Sequence, residues 1–346
     1  MRPERGINEI PPTAAARRQV VEHLERARRP LILSHRDPDP DSIGSALGLA
    51  KALDAMGATP IVALHRLAAV TAPLNELPGF ARILPLTEAV GPATRGEPRS
   101  FDLLVAVDTA DPILFGLEAA QTERLLTGGP VVCIDHHVSN RRYATCNYVD
   151  PSASATAEMI WEILVSAGSP IVPEIAVNLQ AGLVGDTLGF QTRATTGRTL
   201  RAAADLLERG GHPGDMPRRA LNARSFESMR LFGSALAATE RSEDGRIIWT
   251  SVTRALAAAA GATLDASQGI PSGLQDIIGA EVSVVFYETA PARTRVSLRS
   301  VHRPINAVAE AFGGGGHELA AGCKVEEPLA RARELVLEHL RNEFRR

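Results

Sequence analysis

Val131-Val132-Cys133-Ile134-Asp135-His136-His137 begins as an unbroken apolar run and ends on a carboxylate and two imidazoles. A strand with one face in water alternates polar and apolar residues; a run without alternation is covered on both faces, as in a parallel sheet. The same grammar recurs upstream. Leu103-Leu104-Val105-Ala106-Val107 ends at Asp108, and Leu31-Ile32-Leu33 ends at Ser34-His35. Helix-like stretches lie between these runs, such as Ser42 to Met56, followed by a further strand from Pro60 to Leu64. Short apolar runs alternating with helices predict an α/β fold built on a parallel sheet. In open sheets of this kind ligands bind beyond the carboxyl ends of the strands, and here three such ends carry acidic or imidazole groups.

Outward from this core, residues 13–28 space Val20, Val21, Leu24 and Ala27 as an amphipathic lead-in helix. Residues 155–167 and 174–184 read as helices, and Gly182 to Phe190 as a turn containing Asp186. Thr196 to Ala238 is helical and rich in arginine. Three strands follow, Arg246 to Val252, Glu281 to Tyr287 and Arg295 to Ser300. A helix from Ile305 to Phe312 runs into four glycines, and a helix from Leu329 to Phe344 closes the sequence. The expected organisation is a catalytic domain over 1–196, a helical connector over 197–240 and a smaller α+β domain over 241–346.

The sequence has 346 residues, enough for two domains with separate cores, with 45% hydrophobic and 22% charged residues. No apolar run reaches the roughly eighteen residues of a membrane span, and Met1 to Arg18 lacks the apolar core of a signal peptide. Cys133, Cys146 and Cys323 are odd in number and far apart, which implies no disulfide framework, and two of them follow apolar or small residues and read as core thiols. A cytoplasmic location with no membrane contact is the expectation. A net charge of −3 and 4% aromatic residues argue against an extended basic, base-stacking track for long nucleic acid. A small anionic substrate in a local basic pocket remains compatible.

His35-Arg36-Asp37-Pro38-Asp39-Pro40-Asp41-Ser42 carries the densest chemistry. Pro38 and Pro40 push the preceding residues toward extended conformations, which predicts that Asp39 and Asp41 share a face. The plainer reading is a helix N-cap, because Asp41-Ser42 precedes a helix. Close carboxylates need a raised pKa or a cation between them. With Asp108, Asp186 and His136 they form a carboxylate–imidazole set suited to one or two divalent ions, and the nitrogen ligands favour Mn2+ over Mg2+. The run Gly313-Gly314-Gly315-Gly316 before His317 reads either as a linker or as a backbone that approaches a phosphate closely. No Lys-Ser/Thr follows it, so it is not a triphosphate-binding P-loop.

His35-x-x-x-Asp39-x-Asp41, Val107-Asp108-Thr109-Ala110-Asp111, Asp135-His136-His137 and Gly185-Asp186-Thr187-Leu188-Gly189-Phe190 resemble, in order, the four motifs of the DHH phosphoesterase family. Arg299-Ser300 and Phe312-Gly313-Gly314-Gly315-Gly316-His317-x-x-Ala320-Ala321-Gly322 are similar to the substrate-binding motif of the DHHA1 domain. Two positions depart from the pattern: Pro40, where many members have Gly, and Asn306, where an acidic residue is common. The resemblance implies two Mn2+ ions, with Mg2+ or Co2+ as substitutes. His35, Asp39 and Asp108 would hold one; Asp41, Asp108, His136 and Asp186 would hold the other, with Asp108 shared. It assigns His137 to the substrate phosphate and leaving group, and Asp135 to orienting the imidazoles. Arg299, Ser300, Gly313 to Gly316 and His317 would grip the substrate. The reaction implied is attack on phosphorus by water activated between the two ions.

Within the family, the order DHH then DHHA1 without further domains is most like the nano-RNase and pAp-phosphatase members. These degrade short oligonucleotides and dephosphorylate 3′-phosphoadenosine-5′-phosphate, and a homodimer is a further expectation from them. The alternatives are a cyclic or linear dinucleotide phosphodiesterase and, in another class, a non-catalytic nucleotide-binding module. A manganese pyrophosphatase is disfavoured by the four-glycine motif, and a RecJ-type exonuclease by the net acidity.

Overall fold

The computed structural model describes residues 12–70, 72–212, 225–267 and 269–345. The chain divides into two compact units, Met1–Ala223 and Arg224–Arg346. The expected connector is therefore shared between them, and its residues 213–224 lie outside the described residues, as does the polar stretch before residue 12.

The first unit holds a six-stranded, wholly parallel sheet: β1 (Pro30–Leu33), β2 (Ile61–Leu64), β3 (Leu84–Pro85), β4 (Leu103–Val107), β5 (Val131–Asp135) and β6 (Cys146–Val149), in the order β3-β2-β1-β4-β5-β6. The five residues of β4 and of β5 are all buried, as unbroken apolar runs require. Helices α1 (Pro12–Arg26), α2 (Pro40–Ala55), α5 (Thr156–Ser166), α6 (Pro173–Asp186) and α7 (Gly197–Glu208) contribute to the core on one face. On the other face, α3 (Leu86–Thr94) and α4 (Ala119–Thr127) cover Leu31, Leu33, Leu104 and Ala106. The chain after β1 goes to one face and the chain after β4 to the other. The strand order reverses between them, which opens a crevice at their carboxyl ends.

Two helices approach each other unusually closely beside that crevice. A Cβ on Gly44 of α2 would lie 2.3 Å from the Asn178 carbonyl oxygen of α6, and one on Gly182 of α6 would lie 2.5 Å from Asp41 Oδ1. Only glycine permits this spacing, which brings the end of α6 to the site. Helix α7 belongs to the same unit because Arg198 reaches Asp150 (2.6 Å), Glu158 (2.9 Å) and Glu162 (2.6 Å). Glu158 is fully buried, and its charge requires such a partner.

The second unit is built on a mixed six-stranded sheet: β7 (Glu240–Arg241), β8 (Ile247–Val252), β9 (Val282–Ala290), β10 (Arg293–Ser300), β11 (Gly315–His317) and β12 (Ala320–Val325), in the order β11-β12-β10-β9-β8-β7. Helices Asn306–Ala311 and Leu329–Arg345 pack on one face, against Val284, Val296, Leu298 and Cys323. On the other, helices Phe226–Ala237, Arg254–Ala260 and Ile270–Gln275 pack against Ile248, Val252, Val285 and Tyr287, which belong to β8 and β9. The β10–β12 half of that face is left for a cavity. The glycine run is no loop throughout: Gly315 and Gly316 pair with Gly322 and Ala321 as strand residues.

Candidate active site

The crevice of the first unit collects every metal-ligand candidate read from the sequence. His35 follows β1, Asp108 follows β4, His136 follows β5, and Asp186 is the last residue of α6 rather than part of the turn after it. Asp39 caps α2, its side chain accepting from Ser42 N–H. Asp39 is extended, as expected before Pro40, but Asp41 lies inside the first turn of the helix, so a capped helix start and not a continuous extended segment places the two carboxylates. The N-cap expected at Asp41-Ser42 falls instead on Asp39, because the helix already starts at Pro40.

Three groups have ligand atoms within 4.8 Å of one another: His35, Asp39 and Asp108; Asp41, His136 and Asp186; and Asp108, His136 and His137. Asp108 joins them. Its Oδ2 is 3.3 Å from His35 Nε2 and its Oδ1 is 3.6 Å from His136 Nε2. His35 Nε2 is 3.5 Å from Asp39 Oδ2, and His136 Nε2 is 3.1 Å from Asp186 Oδ2. Asp108 leaves its strand in the left-handed region, φ 53°, which Asp tolerates better than most residues with a Cβ. Its N–H still donates to the Ile134 carbonyl (2.9 Å).

Neighbours that the sequence reading missed hold these carboxylates. The Thr156 hydroxyl donates to Asp108 Oδ1 (3.0 Å) and the Ser45 hydroxyl to Asp41 Oδ1 (3.1 Å). Asp41 also accepts the backbone N–H groups of Thr156 (2.6 Å) and Ala157 (2.9 Å). Helix α5 starts after Ala155, which has no side chain to cap with, so a carboxylate distant in sequence satisfies its first donors. Asp135 is fully buried and accepts from Asn140 Nδ2 (2.6 Å), and its Oδ1 is 2.8 Å from His137 Nδ1. Asp135 therefore orients His137, not both imidazoles. The two histidine rings lie 4.6 Å apart at 62°, closer together than the alternation of adjacent residues suggests.

The electrostatics are those of a cation site. Burial drives Asp41 well above the usual carboxylate range, and the Asp108 and Asp186 charges add to it. Burial likewise raises Asp108. Burial by itself would lower His35 and His136, but the surrounding carboxylates outweigh it and push each to about 10. Among the described residues no Arg or Lys pairs with Asp39, Asp41, Asp108 or Asp186. His136 Nε2 is buried without a hydrogen-bond partner. Four carboxylates and two imidazoles, one of which has that buried nitrogen, fit divalent metal ions better than they fit one another.

The second unit places part of the expected substrate grip around a cavity of about 760 Å³. Arg299, Gly313 and Gly314 line it; Ser300, Gly315, Gly316 and His317 do not. Ser300 is buried, and its hydroxyl accepts the Arg303 N–H (2.9 Å). His317 is exposed on β11.

Comparison with known proteins agrees with this architecture. Residues 29–183 match the DHH family N-terminal domain and residues 251–346 the DHHA1 domain. The chain is 34% identical, over 95% of its length and 94% of the relative's, to the bifunctional oligoribonuclease and PAP phosphatase NrnA of Thermus thermophilus. It is 28% identical to the NrnA of Bacillus subtilis over 85% of this chain and 89% of that one. A crystal structure of an exopolyphosphatase-related protein from Bacteroides fragilis superposes with a TM-score of 0.81 at 25% identity, covering 95% of this chain and 96% of that chain. No described helix is long and apolar enough to cross a membrane. Motif order, strand-end chemistry and near full-length likeness converge: the chain belongs to the DHH family of phosphoesterases, with a DHHA1 domain in its second half.

Proposed function

We propose that the chain is a metal-dependent phosphoesterase that hydrolyses short oligonucleotides and 3′-phosphoadenosine-5′-phosphate, using two Mn2+ ions. The observation that carries this reading is the set of carboxylate–imidazole groups linked through Asp108 and His136, with no arginine or lysine among the described residues to neutralise them. His35, Asp39 and Asp108 would hold one ion, and Asp41, Asp108, His136 and Asp186 the other. Bound there, divalent ions supply Lewis-acid stabilisation of phosphoryl charge and lower the pKa of water. The protein's own contribution is positional. Thr156 and the α5 N-terminus fix the buried carboxylates of Asp108 and Asp41, so these two need little rearrangement. Asp135 engages His137 Nδ1 and raises its pKa, which leaves Nε2 to give a proton to the departing oxygen. Arg299 offers cationic surface in the cavity of the second unit, and Gly313 and Gly314, whose N–H groups donate to the Glu310 and Ala309 carbonyls, leave that wall free of side chains. The relatives named for oligoribonuclease and PAP phosphatase activity, matched over most of both chains, support the substrate class.

The test is a turnover screen in Mn2+ across 3′-phosphoadenosine-5′-phosphate, RNA of two to about five nucleotides, cyclic dinucleotides and twenty-residue strands, with metal content measured in parallel. The expected result is highest kcat/KM on the bisphosphate and the shortest RNAs. Cyclic dinucleotides turned over fastest, or efficiency constant out to the long strands, would overturn it.

A further inference from the structure

Asn140 follows His137 by three residues and has no part in the function proposed above. Its side chain nevertheless ties several groups of the crevice together. Nδ2 donates to Asp135 Oδ2 (2.6 Å) and, at longer range, to the Thr109 carbonyl (3.3 Å). Oδ1 accepts the Arg142 N–H (2.7 Å). These partners fix which way the amide faces, because a carboxylate oxygen only accepts and a backbone N–H only donates. The Asn140 N–H donates to the His137 carbonyl (3.1 Å). The backbone thus closes a turn on His137 while the side chain reaches back to the carboxylate that His137 engages. Arg142 is in the left-handed region, φ 51°, a backbone state that persists only where its contacts fix it.

Asp135 is fully buried, and among the described residues its ion-pair partner is His137, with no arginine or lysine. A carboxylate taken out of water needs hydrogen bonds to both oxygens. His137 Nδ1 lies 2.8 Å from Oδ1 and Asn140 Nδ2 2.6 Å from Oδ2. Held at one oxygen, the carboxylate could turn about its Cβ–Cγ bond; held at both, it cannot. The His137 side chain is 44% exposed, so burial does not fix its ring. The ring plane is set through Asp135, and the Asp135 plane through Asn140. An asparagine that only shaped the turn would need its bond to Arg142, but not a short bond to a buried carboxylate.

We propose that Asn140 is a positioning residue for leaving-group departure: it locks Asp135, which holds His137 with Nε2 free for the substrate. This rests on the reading of His137 as proton donor given above. In that step the bond from phosphorus to the departing oxygen breaks, and Nε2 passes its proton to that oxygen. A donor displaced by a fraction of an ångström loses much of its effect.

The experiment uses the manganese-loaded full-length protein and two substrates that differ in the departing oxygen. A dinucleotide releases a ribose hydroxyl, which needs a proton; a nucleoside 5′-(4-nitrophenyl phosphate) releases a phenolate, which does not. Asn140→Ala is expected to lower kcat about tenfold on the dinucleotide, with KM nearly unchanged and little loss on the nitrophenyl ester. In a His137→Ala background the same substitution should cost nothing further, because the group it positions is gone. Equal losses on the two substrates, or the same loss with His137 absent, overturn the proposal. Asn140→Asp keeps an acceptor for the Arg142 N–H and removes the donor to Asp135, so it serves should Asn140→Ala disturb folding; wild-type kcat on the dinucleotide in that variant overturns the proposal too. If the wild type hydrolyses neither substrate, the hydrolase reading fails, and nitrogen-15 NMR of the histidines decides the positioning. A slowly exchanging Nδ1 hydrogen, assigned to His137 by its absence from His137→Ala, should be seen in the wild type and lost in Asn140→Asp. Its persistence unchanged in that variant refutes the role given to Asn140.

Discussion

The two sheets concentrate opposite charges by different devices. In the first unit, carboxylates and imidazoles gather at strand ends: Asp108 and His136 directly follow β4 and β5, and His35 lies two residues beyond β1. Their convergence is a property of topology, because the strand order reverses between β1 and β4. In the second unit, positive charge gathers on a strand face, where alternation along β10 and pairing with β12 bring Arg295, Arg299 and Lys324 together. Strand ends are rigid and close in space, which suits ligands that must meet within a few ångströms. A strand face spreads its groups over many ångströms and suits an extended anion. Under the proposed function, chemistry belongs to the first region and substrate recognition to the second.

The comparison breaks most visibly at Asp108. Asp108→Ala removes the carboxylate that faces both His35 and His136. Turnover is expected to fall by at least about 10³-fold, the scale of removing a principal electrostatic stabiliser, with metal content reduced. A variant retaining even a tenth of wild-type turnover at full metal occupancy contradicts the shared-ligand assignment.

His317→Ala sharpens the contrast from the other side. The exposed imidazole on β11 is outside the carboxylate cluster. KM should rise by about tenfold, the worth of one hydrogen bond to a charged group, while metal content stays normal. Loss of metal in this variant would erase the separation of roles.

The smallest expected effect is a proton count. Carboxylates hold the His35 and His136 imidazoles at about 10 in the metal-free protein, so both carry protons at neutral pH. A ligand imidazole must be neutral, so metal binding releases protons. Affinity therefore rises with pH toward that value and weakens as pH falls. Calorimetry of Mn2+ binding in buffers of differing ionisation enthalpy measures the release, and binding with no proton release refutes the imidazole ligands.

Sequence by itself determined the α/β class, the three apolar runs with their titratable ends, and the names of the residues that gather in the crevice. Unbroken apolar strands and strand-end acids are local signals, legible without knowing which strands are neighbours. The tertiary structure alone decided three matters. Asp41 serves as cap to a helix that starts at Thr156, because only folding brings that uncapped N-terminus to it. Asp186 reaches the site at the end of a helix because Gly44 and Gly182 let α2 and α6 approach closely, a contact between segments far apart in sequence. Ser300 is withdrawn from the cavity and Lys324 brought to it, because the strand pleat assigns faces and the pairing register assigns neighbours. Register is set by the packing of whole sheets, and no local pattern in the sequence states it.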